Sequence, residues 1–220
     1  MYFENRRSSL AVRILVPLCV LALITAPIPA PFSLIPAAHA QNQTWITQFG
    51  TNEGDEAHAL APDGAGGVMI AGVTGGSLGG PNAGRADAFL ARYDSAGTQL
   101  WIRQFGAPGQ DDISAMVPDG AGGVIVAGST WGSLGGPSAG VADVFLAHYD
   151  SDGTQLWIRQ FGTSARDYAY ALAPDGAGGV MVAGGTKGSL GGPLAGRLDV
   201  FVAHYDSAGN QLWVRQFGTS

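Results

Sequence analysis

The sequence predicts an all-β fold built from one repeated unit, and three observations support that prediction. The hexapeptide WIRQFG stands at residues 101–106 and 157–162, with the close copies WITQFG at 45–50 and WVRQFG at 213–218. Consecutive copies begin 56 residues apart, which indicates a repeat architecture. Short apolar runs separated by glycine-rich turns fill each interval, and none of them has the periodicity of a helix.

The third unit shows how the first hairpin is predicted. Residues 168–173 form a short strand that ends at the turn PDGAGG, residues 174–179. Proline sets φ before the bend, and glycine adopts the positive φ that the turn requires. Residues 180–183 follow as the second strand. We interpret the glycine-rich segment 184–197 as a structural connector, because no helix or lysine-serine/threonine pair follows that could hold a phosphate.

A second hairpin completes the unit. Residues 199–206 alternate, with Phe201 and Tyr205 on one face of the predicted strand. Residues 207–210 make the turn, and residues 211–217 form a fourth strand that carries the hexapeptide. Four short antiparallel strands in each unit are typical of a β-propeller blade.

The predicted β-propeller holds about three blades, at residues 51–106, 107–162 and 163–218, with a lone strand at 41–50 before them. Propellers close with about 4–8 blades, so the ring is incomplete. The chain is then either a fragment of a longer protein or a part-ring that closes as a homo-oligomer. An open arc would leave apolar faces and strand edges in water.

Residues 1–40 have the features of a secretory signal peptide. Three arginines precede an almost wholly apolar stretch at residues 14–24, and Ala38-His39-Ala40 fits a signal-peptidase site. A membrane anchor is the alternative, but the apolar stretch is shorter than the ~20 residues that a span needs. We therefore expect a secreted protein, periplasmic, extracellular or on the cell surface, with no membrane span after removal of the signal.

Charge and cysteine content exclude several classes. Residues 1–40 contain three of the 11 basic and one of the 17 acidic residues, so residues 41–220 have a formal net charge of −8. An acidic surface repels phosphate, and we predict that the protein does not bind nucleic acid. Cys19 lies in the predicted signal, so the exported part has no cysteine and no disulfide.

The combination of WIRQFG, the PDGAGGV hairpin and the D(A/V)F(L/V)A(R/H)YDSxGxQLW segment resembles the bacterial seven-bladed β-propeller (SBBP) repeat family. The resemblance covers essentially all of residues 41–220. It implies a secreted or surface-exposed propeller. The family has no agreed catalytic residues, so the resemblance supplies no active site.

Recurring polar and aromatic residues are the first candidate sites. Asp55, Asp111 and Asp167 each follow a hexapeptide tryptophan by ten residues. They are either a ring for a cation or ligand at the mouth of a channel, or local acceptors of backbone N–H bonds. The hexapeptide tryptophans are predicted to pack one blade on the next, and they are Trp45, Trp101, Trp157 and Trp213.

Metal binding is predicted only weakly. Asp150 and Asp152 are similar to the spaced aspartates of integrin-type calcium sites, but alanine replaces Asp152 in the other two units, at Ala96 and Ala208. No cofactor is predicted apart from this calcium candidate. His148 and His204, at the position that Arg92 has in the first unit, lie on different blades and are interpreted as surface or inter-blade residues.

We predict a non-catalytic secreted or surface module that acts as a binding or scaffold surface for a protein or carbohydrate. One alternative is an enzyme, quinoprotein-like oxidoreductase or carbohydrate-active, and another is a calcium-stabilised adhesion module. The near-identity of the units favours the non-catalytic function, because an asymmetric active site needs residues unique to one blade. Trp131, Arg166 and Lys187 are among those unique residues.

Overall fold

A computed structural model describes residues 45–220, and the predicted signal peptide at 1–40 lies outside them. Twelve strands form three four-stranded antiparallel sheets, so the predicted all-β repeat is confirmed. The first sheet contains β1 (Asp55–Pro62), β2 (Val68–Thr74), β3 (Asp87–Tyr93) and β4 (Gln99–Phe105). The second contains β5 (Asp111–Pro118), β6 (Val124–Thr130), β7 (Asp143–Tyr149) and β8 (Gln155–Phe161). The third contains β9 (Asp167–Pro174), β10 (Val180–Thr186), β11 (Asp199–Tyr205) and β12 (Gln211–Phe217). Residues 45–220 contain no helix long and apolar enough to cross a membrane.

The strand boundaries follow the predicted hairpins, with two differences. β10 runs three residues further than the predicted 180–183, because its end pairs with the start of β11 as far as Thr186 and Asp199. The predicted lone strand at 41–50 is not a strand in the part that the structure describes, residues 45–50. A strand needs a ladder partner, and the described residues offer this segment none.

The sheets pack face to face in chain order, with β1 against β5 and β5 against β9. Alternating side chains of the middle sheet point to its two neighbours, so every residue of β6 and β7 is buried. Val126 and Phe145 pack against the first sheet, whereas Ile125 and Val144 pack against the third. The apolar core therefore lies in two layers, one at each junction between sheets.

A glycine in the second strand of each sheet accommodates a β-bulge. The register of β5 against β6 shifts between Ile113 and Ala115, which brings the carbonyl oxygen of Asp112 over Gly128. A Cβ atom at Gly128 would overlap that oxygen and lie 2.7 Å from Cε1 of Phe145. A Cβ at Gly72 or Gly184 would likewise overlap a carbonyl oxygen of the first strand, that of Glu56 or Tyr168. Only glycine fits beside the bulge.

The glutamine of each hexapeptide holds the long connection between the second and third strands. In the second sheet, Gln160 Oε1 accepts hydrogen bonds from the N–H groups of Leu134 (2.7 Å) and Gly135 (3.2 Å). Its Nε2 donates to Gly132 O and to Asp143 Oδ2, both at 2.8 Å. Gln104 and Gln216 make the same bonds in the other sheets. One partly buried amide therefore orders a loop that has no strand of its own, as expected for a structural connector.

Candidate functional site

The three units differ most at one end of their strands, which forms one rim of the stacked sheets. Eight positions carry a different residue in every unit, and in the first unit they are Asn52, Glu53, Gly54, Glu56, His58, Val73, Gly75 and Asn82. They lie in the loop before the first strand, in the first half of that strand, at and just after the end of the second strand, and in the connection that follows, where Asn82 Nδ2 donates to Gly75 O at 2.6 Å. The turns at the opposite edge read PDGAGG in all three units. We call these eight positions and their counterparts in the other units the variable edge.

His58 joins the first and second sheets at the variable edge. Its Nδ1 lies 2.8 Å from Asp112 Oδ1 and 3.0 Å from the carbonyl oxygen of Ile113, and its Nε2 lies 3.3 Å from Glu56 Oε2. Carboxylates and a carbonyl only accept hydrogen bonds, so both ring nitrogens must donate. His58 is therefore an imidazolium ion in this arrangement.

The surroundings of His58 favour its charged form. Partial burial alone would lower the pKa of His58, but the hydrogen bond to Glu56 and the negative charge of Asp112 outweigh it. The pKa of His58 consequently lies above its ordinary value of 6.5. These contacts therefore favour the charged form of His58 as a link between the two sheets.

This link predicts a pH-dependent contribution to stability. The contacts of protonated His58 stabilise the fold fully below the unfolded-state pKa of 6.5, and the contribution is lost as pH rises through the raised folded-state pKa. We expect His58→Gln to cost about 0.5–1 kcal/mol at pH 6, because the partners are partly exposed, and much less at pH 9. Urea denaturation of both proteins at the two pH values measures the difference. An equal cost at pH 6 and pH 9 would show that the histidine is not charged.

A cavity of about 490 Å³ lies beside His58, between the first two sheets. Its charged lining comprises Glu53, Glu56, Asp112 and, with opposite sign, Arg85 and His58. Ligand pockets in proteins commonly measure about 300–1,000 Å³. The cavity is large enough for a small polar group and offers it both donors and acceptors.

The junction of the second and third sheets presents aromatic and basic groups at the same edge. Trp131 lies 6.0 Å from Tyr168 between ring centroids, and Tyr168 stacks on Tyr170 at 6.4 Å with an interplanar angle of 15°. Tyr170 is exposed, and so is Arg166, the residue before β9. Two neighbouring junctions of one fold therefore carry different recognition chemistry, one with acidic side chains around a histidine and one with aromatic side chains beside an arginine.

The recurring aspartates Asp55, Asp111 and Asp167 lie at the start of each sheet's first strand. Each carboxylate accepts a hydrogen bond from the backbone N–H four residues earlier, at 2.5 Å for Thr51, 2.7 Å for Ala107 and 2.5 Å for Thr163. Asp111 and Asp167 are fully buried. Such local hydrogen bonds from backbone N–H groups are what we expect if the three aspartates have a structural role.

A second aspartate also recurs in each unit, at the start of the third strand, and was not singled out from the sequence. Asp87 is its copy in the first sheet. Its Oδ2 accepts bonds from Ala83 N and Gln104 Nε2, while its Oδ1 packs against Gly106 beside the carboxylate of Asp111. Burial raises the pKa of Asp111 and the charge of Asp87 raises it further. The recurrence of this aspartate before the (A/V)F pair was the signal that could have identified it. A Cβ at Gly106 would overlap Asp87 Oδ1 and lie 2.9 Å from Asp111 Oδ2, which explains the glycine that ends every copy of the hexapeptide.

The hexapeptide tryptophans link neighbouring sheets. Trp101 Nε1 donates to Ser151 O and Trp157 Nε1 to Ser207 O, both at 2.9 Å, and each ring covers a glycine with positive φ. Trp45 makes the same bond to Ser95 O at 3.1 Å. Trp213, in the third sheet, has no following sheet within residues 45–220.

The calcium candidates and the histidines His148 and His204 lie at the turn edge, opposite the variable edge. Asp150 Oδ1 accepts bonds from the N–H groups of Asp152 and Thr154, which shape the turn. Each histidine bonds a turn aspartate of its own sheet, His148 to Asp119 at 2.9 Å and His204 to Asp175 at 2.8 Å. Each histidine is therefore hydrogen-bonded within its own sheet, at a position that the sequence predicts to be either surface or inter-blade. No group of three or more acidic, histidine or cysteine residues with metal-site geometry occurs in the described range.

Comparison with known proteins relates the chain to part of a longer protein. No protein-family model matches the chain. The regulatory protein FlaEY of Caulobacter vibrioides is similar to it, with 32% identity over 158 residues. The matched stretch is 64% of this chain and 16% of FlaEY. The similarity therefore concerns a small part of a much longer protein.

Proposed function

We propose that residues 41–220 form a non-catalytic β-propeller module that works outside the bacterial cell as a binding surface for a protein or carbohydrate. The main support for this proposal is that the positions at which all three units differ lie together at the variable edge. All eight positions that differ in every unit lie there. A fold maintained only for its own stability gives no reason for differences to collect at one edge.

The recurring side chains have structural partners, which leaves the variable edge as the surface free to recognise a ligand. Gln160 holds its connecting loop and Trp157 bonds the following sheet. Asp119 holds its turn through the N–H groups of Ala121 and Gly123. Exposed and variable side chains at the rim of a rigid scaffold are a common basis of binding.

The face-to-face stacking of four-stranded sheets supports a propeller, with β1, β5 and β9 as the inner strands of successive blades. Export rests on the sequence of residues 1–40. A binding function is favoured over catalysis because the units are nearly identical, whereas an asymmetric active site needs several residues unique to one unit.

A binding screen tests the proposal. The purified chain is applied to a glycan array and to a surface-displayed peptide library, and any ligand found is titrated against three variants, Trp131→Ala, His58→Gln and Asp152→Ala. We expect Trp131→Ala to weaken binding at least about tenfold, which is the loss typical of an aromatic anchor. Asp152→Ala is the matched control, because alanine occurs naturally at this position in the other two units.

Binding that is lost in Asp152→Ala but retained in Trp131→Ala and His58→Gln would place the ligand at the turn edge and contradict the proposal. Circular dichroism of each variant establishes that it is folded before its affinity is interpreted.

A further inference from the structure

The third sheet has an apolar face that no described residue covers. Met181, Val200 and Phe217 are 38%, 46% and 56% exposed. Their counterparts in the second sheet, 56 residues earlier, are Ile125 at 1%, Val144 at 0% and a partly buried Phe161. The difference arises because the third sheet covers the second, whereas nothing within residues 45–220 covers the third.

The same face has unused hydrogen-bond donors. At the first junction Arg103 Nε donates to Gly153 O at 3.2 Å, and at the second Arg159 Nε donates to Gly209 O at 3.0 Å. Arg215 is their counterpart, and its described side-chain bond is to its neighbour Val214. Trp213 and Arg215 thus lie on the face of the third sheet that no described residue covers.

The first sheet has the complementary face, covered only by residues 45–50. Trp45 donates to Ser95 O, and Phe49 packs edge-on to Phe89 at 6.0 Å, as Phe105 packs on Phe145. Thr47 stands where the other hexapeptides have arginine, so Gly97 O receives no arginine bond. The segment 45–50 therefore imitates a fourth strand but makes fewer contacts than one.

Charges on the two open faces are opposite in sign. At the second junction Trp131 contacts Tyr168. The position of Trp131 is occupied in the third sheet by Lys187, and the position of Tyr168 is occupied in the first sheet by Glu56. At the first junction Arg85 lines the same cavity as Asp112. The counterpart of Arg85 in the third sheet is Arg197, and the counterpart of Asp112 in the first sheet is Glu56. Two cations of the third sheet would thus meet an acidic residue of the first.

We propose that the third sheet of one copy of this chain docks on the first sheet of a second copy, with β12 displacing residues 45–50 of that copy. The contact reproduces the two internal junctions. Trp213 Nε1 bonds Ser95 O of the second copy, Arg215 bonds Gly97 O, and Lys187 pairs with Glu56. Such head-to-tail contacts produce closed rings or open filaments.

Residues 45–50 compete with docking, because they are tethered to the face that β12 must occupy. A tethered segment has a high effective concentration. Docking therefore depends on chain concentration, and weakening or strengthening the tethered segment shifts the balance in opposite directions.

Native mass spectrometry and analytical ultracentrifugation test the proposal on the protein expressed from its full 220-residue sequence. We expect oligomers that dissociate on dilution and weaken with salt. Lys187→Glu and Glu56→Lys should each weaken association by about fivefold, the upper effect of one exposed ion pair, and the double variant should recover it. Thr47→Arg should shift the protein toward monomer, because it gives the tethered segment the missing arginine.

Arg103→Ala is the control, because it removes from an internal junction the counterpart of Arg215, which would bond Gly97 O of the second copy. It should lower the unfolding midpoint and change the association constant by less than about twofold. A protein that is monomeric at all accessible concentrations would overturn the proposal. Oligomers insensitive to both charge reversals and to Thr47→Arg would overturn it as well.

Discussion

Replacing Gly128 by alanine is expected to lower the free energy of unfolding by about 3–5 kcal/mol, enough to leave much of the protein unfolded. The new Cβ would overlap the carbonyl oxygen of Asp112 and crowd Phe145 in the buried layer between the first two sheets. The bulge in β5 holds that oxygen in place, so relief requires the strand to shift. Urea denaturation followed by circular dichroism measures the loss.

Gly54→Ala is the control for Gly128, because a Cβ at Gly54 meets nothing within 4 Å and its φ is not positive. Its effect should stay within about 0.5 kcal/mol. Equal losses in the two variants would mean that close packing against the bulge does not explain the glycine of the second strand.

The second large effect is expected at Trp157. Its ring is 9% exposed in the layer between the second and third sheets, covers Gly209 and donates to Ser207 O. Trp157→Ala removes the buried ring and leaves a cavity at the junction, at a cost of about 3–5 kcal/mol. The free energy of unfolding should fall accordingly in urea titrations at low protein concentration, where self-association does not contribute.

Trp213→Ala is the internal comparison for Trp157. It removes the same side chain from the third sheet, which has no following sheet among residues 45–220, and should cost less than about 1 kcal/mol. If Trp213→Ala were as destabilising as Trp157→Ala in dilute protein, the tryptophans would act within their own sheets rather than between sheets.

The candidate site was only partly predictable. Trp131, Arg166 and Lys187 stood out because they break the repeat, and the structure places all three at the variable edge. His58 breaks the repeat equally, yet nothing in its local sequence indicates that it reaches Asp112, 54 residues away. The turn aspartates Asp119 and Asp175 were likewise visible, but their pairing with His148 and His204 was not.

The sequence by itself determined the strands, their number and their hairpin pairing. These depend on neighbours along the chain, on alternation with a period of two and on proline and glycine in the turns. Only the tertiary structure decided which faces meet, that His58 is charged and that Val200 lies exposed while Val144 is buried. Such properties depend on contacts between residues about one unit apart. Identical local sequence therefore gives a buried residue in one sheet and an open surface in the next.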